Sequence, residues 1–258
     1  MKNGFDKVKL WVKWRLFPGL DLATRCRYRH VSRFLASGPI DTLDAGCGNG
    51  ALSYAAYLHG NRVIGVTKDP NQVRAARALF SAVGTDPKRL SFEVCDLYDL
   101  PKLDRSFDQI ICSETLEHIR QDDLVIRNFY EVLRPGGVLH LCCPFALHPE
   151  HHLGRVDGPE DGGHVRDGYT LASYRTLLEP AGFQLVCKIG LGSQRLTQLD
   201  RFLRNIRNRT GDLAALPFFL ITRRLQQLDA LNPPVPYSLY VQAVKPLPAA
   251  KEPGASAA

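Results

Sequence analysis

Three glycines at alternate positions form the stretch of the sequence best suited to hold a ligand. Residues 43–50 read LDAGCGNG, with glycines at 46, 48 and 50. Glycine lets the backbone turn tightly and approach a ligand closely, and the start of a following helix presents free N–H groups. The segment favours a cofactor loop between a strand and a helix. With Ala51 it also fits the looser dinucleotide pattern G-x-G-x-x-A, and a glycine turn without any ligand remains open.

Apolar runs of strand length alternate with stretches of helical spacing around this loop. The predicted strands cover residues 40–44, 62–67, 90–95, 107–113, 138–143, 183–189 and 237–244. The predicted helices cover residues 51–59, 71–82, 122–133, 171–181 and 195–231. This alternation is typical of βαβ units, in which a parallel sheet carries helices on both faces. It predicts the α/β fold class.

Four motifs, taken in order, resemble those of class I S-adenosyl-L-methionine (SAM) dependent methyltransferases, and the set looks like a type 11 methyltransferase domain. DAGCGNG at 44–50 is similar to the family's acidic glycine motif, and CDL at 95–97 looks like its adenine site. SETLEHI at 113–119 and LRPGG at 133–137 are similar to its fourth-strand motif and to the turn before strand five. The resemblance therefore implies a methyltransferase.

The resemblance also implies SAM as the cofactor and S-adenosyl-L-homocysteine (SAH) as its product. In the family the glycine loop contacts the methionine and ribose part, the acid helps to hold the amino group, and the aspartate after strand three accepts the adenine amine. Carried over to this chain, the expected cofactor-binding residues are Asp44, Gly46, Gly48, Gly50, Thr67, Gln72, Asp96, Leu97 and Ser113.

The end of the second strand departs from the usual family pattern. Thr67 stands where an acid that binds both ribose hydroxyls is expected, and Asp69 follows two residues later. The segment GVTKDPNQ resembles a variant of cyclopropane fatty acid synthases and sterol methyltransferases, in which a threonine and a glutamine bind the ribose. A neutral pair makes these hydrogen bonds without burying a charge, so we favour Thr67 with Gln72 over Asp69.

The family's architecture implies a Rossmann-like, doubly wound sheet of seven strands, six parallel and one antiparallel. We expect a single methyltransferase domain over residues 1–246. Its expected parts are an N-terminal helical cover at 1–38, a SAM-binding core at 39–190, a helical insertion at 191–236 and the last strand at 237–246. Residues 247–258 read as a disordered tail.

Ionisable side chains are concentrated after strands four and five, where the family binds its acceptors. They are Glu114, Glu117, His118, His148, His151, His152 and His164. Methyl transfer from a sulfonium needs a base only if the acceptor loses a proton. We take Glu114, His118 and His148 as candidate catalytic residues. The Glu117-His118 pair could equally be structural, since a carboxylate near a helix start is favourable by itself.

The loop that follows strand five is rich in His, Asp and Glu. The loop could serve as a solvated lid, supply a histidine that acts as a base or orients the acceptor, or bind a divalent metal. We expect no metal, because the loop lacks a rigid ligand spacing. By position, His151, Arg166 and Tyr169 are expected to bind the acceptor.

The net charge of the whole chain is +7, and its positive excess lies in the two helical additions. Residues 1–33 hold nine Lys and Arg against two Asp, and residues 190–229 hold seven Arg against three Asp. A nucleic-acid binder usually carries its basic face on the working domain, so this distribution argues against nucleic acid. Basic residues beside Trp11, Trp14 and the apolar run at 213–221 suit peripheral contact with an anionic membrane, or simply solvated helices packed on the core.

Seven cysteines without a C-x-x-C spacing favour a reducing, cytoplasmic location. If the basic helices contact a membrane, we expect that contact at its inner face. The lysine-interrupted start is not typical of a signal peptide. We expect a SAM-dependent enzyme that methylates a small molecule, such as a natural product, a lipid-linked or a glycan intermediate. The alternatives are a catalytically silent binding module of the same fold and an RNA methyltransferase that uses the basic flanks.

Overall fold

The computed structural model describes Pro18, residues 20–151, residues 160–226, Asp229 and residues 231–248. The predictions for the segment before Pro18, for His152 and for the chain beyond residue 248 lie outside this part of the chain.

Seven strands form one sheet. They are β1 (Asp41–Ala45), β2 (Arg62–Thr67), β3 (Leu90–Val94), β4 (Phe107–Ser113), β5 (Leu133–Pro144), β6 (Gln184–Leu191) and β7 (Ser238–Val244). Their order across the sheet is β3-β2-β1-β4-β5-β7-β6. β7 runs antiparallel to both β5 and β6, and the other strands share one direction. The predicted sheet of six parallel strands and one antiparallel strand is confirmed.

Helices cover both faces of the sheet. They are α1 (Leu22–Val31), α2 (Ala51–Leu58), α3 (Pro70–Ala82), α4 (Asp122–Val132), α5 (Leu171–Leu178), α6 (Gln194–Thr210) and α7 (Asp212–Gln226). The helical segment predicted over 195–231 consists of two helices, which are separated by Gly211 and end at Gln226. Gly211 has a φ of +83°, which glycine adopts readily and which ends the helix. β5 also begins earlier than predicted, with a register shift opposite Phe107 and Gln109.

The helical additions pack on one face of the sheet together with α2 and α3. Leu22 of α1, Phe80 of α3, Leu203 of α6 and Phe219 of α7 belong to one buried cluster. α4 and α5 contribute to a second cluster on the opposite face. α1 is also tied to α6 by a buried carboxylate, since the Leu22 N–H donates to Asp200 Oδ1 at 2.8 Å. The described parts of the predicted helical cover and helical insertion are thus joined to the core by apolar packing.

A buried polar network holds the segment between α1 and β1. Its centre is Gln109 of β4, whose Oε1 accepts the Ala36 N–H at 2.8 Å. The Gln109 amide donates to Thr42 Oγ1 at 3.1 Å and to Asn61 Oδ1 at 3.2 Å. His140 Nε2 lies 3.0 Å from Gln109 Oε1, and its Nδ1 lies 2.8 Å from the Tyr240 hydroxyl. The network fixes how α1 enters the fold.

Protonation of His140 should destabilise the fold. Burial lowers the pKa of His140 from 6.5 to about 3, so the ring stays neutral in the folded protein while the unfolded chain gains a proton below pH 6.5. The stabilisation is therefore complete above pH 6.5 and decreases as the pH falls toward 3, by at most about 1.4 kcal/mol per pH unit. Urea unfolding between pH 7.5 and 4.5 should show a larger loss for wild type than for His140→Gln, whose amide does not titrate; parallel profiles would contradict this.

Candidate active site

The glycine loop makes its turn where the strand order reverses, between β1 and β4. Gly46 and Cys47 both donate their N–H to Val66 O at 2.9 Å, which draws the loop onto the end of β2. Gly46 and Gly48 have φ values of +76° and +51°. A Cβ at Gly46 would lie 2.3 Å from Thr115 Oγ1, whereas a Cβ at Gly48 would meet no atom within 4 Å. Gly46 therefore serves packing, and Gly48 leaves its side of the loop open.

Two cavities meet at this loop and share Gly46, Gly48 and Glu114 as lining residues. The first, here called the Asp96 cavity, measures about 280 Å³ and is also lined by Thr67, Gln72, Asp96, Leu97, Tyr98 and His118. The second, the Arg27 cavity, measures about 330 Å³ and is also lined by Thr24, Arg27, Tyr28, Asp44, Asn49 and Ser113. The cavities bring together predicted cofactor residues from β1, β2, β3 and β4.

Asp44 places a buried carboxylate in the Arg27 cavity. The residue is 3% exposed, and its Oδ2 accepts the Ser53 hydroxyl at 2.5 Å. Burial raises the pKa of Asp44 from 3.8 to about 6, and the hydrogen bonds from Ser53 only partly oppose this. No salt bridge joins Asp44 to a cation among the described residues. A ligand cation would offset the desolvation of this carboxylate.

Arg27 faces the same cavity and was missed by the sequence predictions. Its Nη1 lies 3.4 Å from Glu114 Oε2, and its Nη2 donates to Thr24 Oγ1 at 3.2 Å. Nη1 and Glu114 Oε1 are both buried without a hydrogen-bond partner in the described structure. Burial raises the pKa of Glu114, and Arg27 opposes this shift. The guanidinium can therefore accept a further anionic partner.

The ribose and adenine candidates line the Asp96 cavity. Thr67 Oγ1 donates to Gln72 Oε1 at 3.1 Å, as the proposed pair requires. Asp69 instead accepts the Asn71 N–H at 2.8 Å and caps α3. Asp96 accepts the Tyr98 N–H at 3.0 Å and keeps an exposed carboxylate. This arrangement favours Gln72 over Asp69 as the partner of Thr67.

The histidines near Glu114 differ in which ring nitrogen is available. His151 Nδ1 lies 3.0 Å from Phe145 O, so it carries the proton, and its buried Nε2 has no partner among the described residues. His148 Nδ1 accepts the Glu150 N–H at 3.2 Å, so a neutral His148 carries its proton on Nε2. The His148 ring packs 5.0 Å from the His151 ring, and burial lowers the pKa of His148.

His118 lies in the Asp96 cavity beside a fully buried carboxylate. Its Nδ1 is 3.0 Å from Gly163 O, and its Nε2 is 3.9 Å from Glu117 Oε1. Burial raises the pKa of Glu117 well above its usual range. Both Glu117 oxygens are buried without a hydrogen-bond partner in the described part of the chain.

Arg166 and Tyr169 are engaged with protein groups and line neither of the two cavities described above. Arg166 pairs with Asp122 and donates to Ile119 O at 2.6 Å. The buried Tyr169 hydroxyl donates to Asp122 Oδ2 at 2.7 Å. These contacts fix the loop before α5 to the start of α4, and the expected role of both residues in acceptor binding stays a prediction.

Comparisons with known proteins show the family of the chain. The family model described as "Methyltransferase domain" matches residues 43–141. The chain is 29% identical to O-methyltransferase resE of Aspergillus sclerotiorum over 67% of this chain and 70% of that protein. It is 32% identical to the ubiquinone biosynthesis O-methyltransferase of Xanthomonas euvesicatoria over 62% of this chain and 69% of that protein.

The chain belongs to the class I SAM-dependent methyltransferases. It is also 34% identical to norajmaline N-methyltransferase of Rauvolfia serpentina, but this match spans 43% of the chain and only 38% of that enzyme. The cyclase SpnF has the same fold, with a TM-score of 0.59 and 21% identity over 88% of this chain and 80% of that chain. The fold is thus shared with a protein named for another reaction.

The residues of this methyltransferase fit SAM. The cofactor's amino-acid end carries an ammonium and a carboxylate, and the Arg27 cavity offers the unpaired Asp44 carboxylate and the unsatisfied Nη1 of Arg27. The open side of Gly48 leaves room that a Cβ would fill. Thr67, Gln72 and Asp96 supply the polar groups that a nucleoside needs.

Gly46→Ala should destabilise the fold, whereas Gly48→Ala should chiefly weaken SAH binding. Each variant carries the strain of alanine in the left-handed region, about 1–2 kcal/mol. Only Gly46→Ala adds a clash with Thr115, and only Gly48→Ala places a methyl group in the open side of the loop. Urea unfolding and calorimetry with SAH test the pair. Equal destabilisation, or wild-type SAH affinity in Gly48→Ala, would contradict this assignment.

Proposed function

We propose that this methyltransferase acts on a small-molecule acceptor whose hydroxyl or amine loses a proton during the reaction. Natural products and lipid-linked or glycan intermediates are the acceptor classes. The observation that supports the proposal is the Nε2 of His151, which has no partner in the part of the chain that the structure describes and lies near the buried Arg27–Glu114 pair. The methyltransferases similar to this chain include enzymes named for O- and N-methylation.

We assign the cofactor to the two cavities described above. Asp44 and Arg27 would hold the amino-acid end, Thr67 with Gln72 the ribose, and Asp96 with Leu97 the adenine. The backbone at Gly46, Gly48, Gly50 and Ser113 would border these groups. When bound, SAM supplies an electrophilic methyl group.

His151 is the proposed general base. Because the Phe145 carbonyl fixes the proton on Nδ1, Nε2 offers a lone pair that can take the proton of the acceptor. His148 was expected to be catalytic, but its neutral tautomer presents an N–H at Nε2, which suits a hydrogen-bond donor and not a base. We therefore assign His148 to acceptor orientation. The Tyr237 ring packs against the His151 ring, with 4.6 Å between their centroids.

Glu114 and His118 border the place where the two cavities meet. Glu114 lies in a left-handed conformation with φ of +52°, held by its N–H donating to Cys142 O at 2.8 Å. Such a backbone is typical of functional sites. We propose that Glu114 orients Arg27 and that His118 contacts the acceptor from the Asp96 cavity.

The other expectations stay proposals. We propose that residues 1–246 form one domain and that the protein works in the cytoplasm, at the inner face of a membrane. No helix in the described residues is long and apolar enough to cross a bilayer. The RNA and binding-module alternatives are less favoured, because the chain's similarity is to small-molecule enzymes and Asp44, Asp96 and the glycine loop are intact.

Replacement of His151 should separate catalysis from cofactor binding. SAH formation is followed with SAM and a panel of phenols, amines, glycans and lipid-linked sugars, and kcat and KM are then measured with the active acceptor. We expect His151→Gln to lower kcat by roughly 100-fold or more and to leave SAH affinity unchanged.

His148→Gln is the matched control, because it removes the neighbouring ring, which is assigned to acceptor orientation; it should raise the KM of the acceptor and keep most of kcat. An unchanged kcat in His151→Gln would contradict the assignment of the base. Turnover with RNA alone would contradict the small-molecule acceptor, and no turnover despite SAH binding would favour the binding module.

A further inference from the structure

The outward side of α7 is apolar. Ala215 and Phe219 face the core, while Phe218, Ile221 and Leu225 are 43%, 61% and 42% exposed. The spacing of three and four residues places the exposed side chains on one side of the helix. Phe202 of α6 is 50% exposed and lies beside Phe218, with 6.1 Å between ring centroids. We call Phe202, Phe218, Ile221 and Leu225 the α7 face.

Arginines surround the α7 face. α6 and α7 together carry seven arginines but only Asp200 and Asp212 as acidic residues. Glu150, Asp200 and Asp212 pair with Arg201, Arg204 and Arg207. Arg209 and Arg224 are exposed. An apolar stripe with a basic rim is complementary to a bilayer that contains anionic headgroups.

The α7 face is connected to the active site through α1. On the inner side of α7, the Phe219 ring lies 5.1 Å from the guanidinium of Arg25 on α1. α1 also carries Arg27, which lines the Arg27 cavity. The surface that carries the apolar stripe thus lies in the same helical layer that borders the cofactor site.

We propose that the α7 face docks on an anionic membrane surface. Phe218, Ile221 and Leu225 enter the boundary between headgroups and acyl chains, and the flanking arginines contact lipid phosphates. The proposal rests on the peripheral membrane location proposed above and identifies the surface that makes the contact. It does not depend on which acceptor is methylated or on which residue is the base.

Vesicle co-sedimentation of the full chain tests the docking surface. Vesicles of phosphatidylcholine with 30% phosphatidylglycerol are compared with pure phosphatidylcholine. We expect at least tenfold tighter binding to the anionic vesicles, weakened by salt, and at least a tenfold loss in Ile221→Glu. Leu58→Glu is the matched control, because Leu58 on α2 is also 61% exposed and lies outside the α7 face; its binding should equal that of wild type.

Equal loss in both variants, or no preference for anionic vesicles, would overturn the proposal. Two measurements without lipid test whether a second copy of the chain or the segment before the described residues covers the α7 face instead. Light scattering that shows a dimer which Ile221→Glu converts to a monomer would assign the face to a second copy. The two tryptophans of the chain, Trp11 and Trp14, lie before the described residues, so a shift of their emission in Ile221→Glu would assign the face to that segment.

Thermal melting and SAH affinity, measured on the same variants, separate this proposal from the proposed function. Ile221→Glu should melt within a few degrees of wild type and bind SAH normally while losing vesicle binding. Loss of SAH affinity in Ile221→Glu would mean that the α7 face supports the fold and would overturn the docking role. Wild-type vesicle binding by a protein without turnover would leave the docking surface intact and would refute the catalytic proposal alone.

Discussion

The proposed cofactor site depends on a buried carboxylate that no cation among the described residues compensates. Asp44 stands at the end of β1, where the strand order reverses, and Ser53 donates hydrogen bonds to it from its hydroxyl and its backbone N–H. Its raised pKa of about 6 means that ionisation at neutral pH opposes folding, because the unfolded chain ionises more readily. A buried charge of this kind is retained when a ligand supplies the missing cation. The glycine loop, the cavity and α1 are arranged around this requirement.

The second constraint is the position of α1. Arg27 reaches the cavity because α1 is held at both ends, by Asp200 of α6 at its start and by the Gln109 network after it. Without this attachment the guanidinium would be a solvated side chain of a basic helix. In the proposed assignment, α1 therefore contributes Arg27 to the cofactor site and borders the place where the acceptor is proposed to bind.

The alternation of strands and helices was sufficient to predict the sheet, its parallel strands and most boundaries. The resemblance at the end of the second strand pointed to Thr67 and Gln72, and the structure joins these two side chains by a hydrogen bond. Local patterns of this kind are readable because the period of a strand or helix and the chemistry of a turn act over a few residues.

The remaining site depended on contacts between distant parts of the chain. Arg27 carries no motif and is distinguished only by its packing against Glu114 and the cavity. His151 differs from His148 only in the backbone group that each Nδ1 meets, which spacing does not reveal. Arg166 and Tyr169 both contact Asp122, more than forty residues away, and spacing does not reveal this contact either.

Calorimetric titration of wild type and Asp44→Asn with SAH across pH 5 to 8 tests the central claim most directly. The ammonium of SAH should require the ionised carboxylate, so the affinity of wild type should be constant above about pH 7 and fall toward tenfold per unit below pH 6. Asp44→Asn should bind SAH more weakly at neutral pH and lose this dependence. An affinity that does not change with pH in wild type, or an unaltered pH profile in Asp44→Asn, would contradict the account.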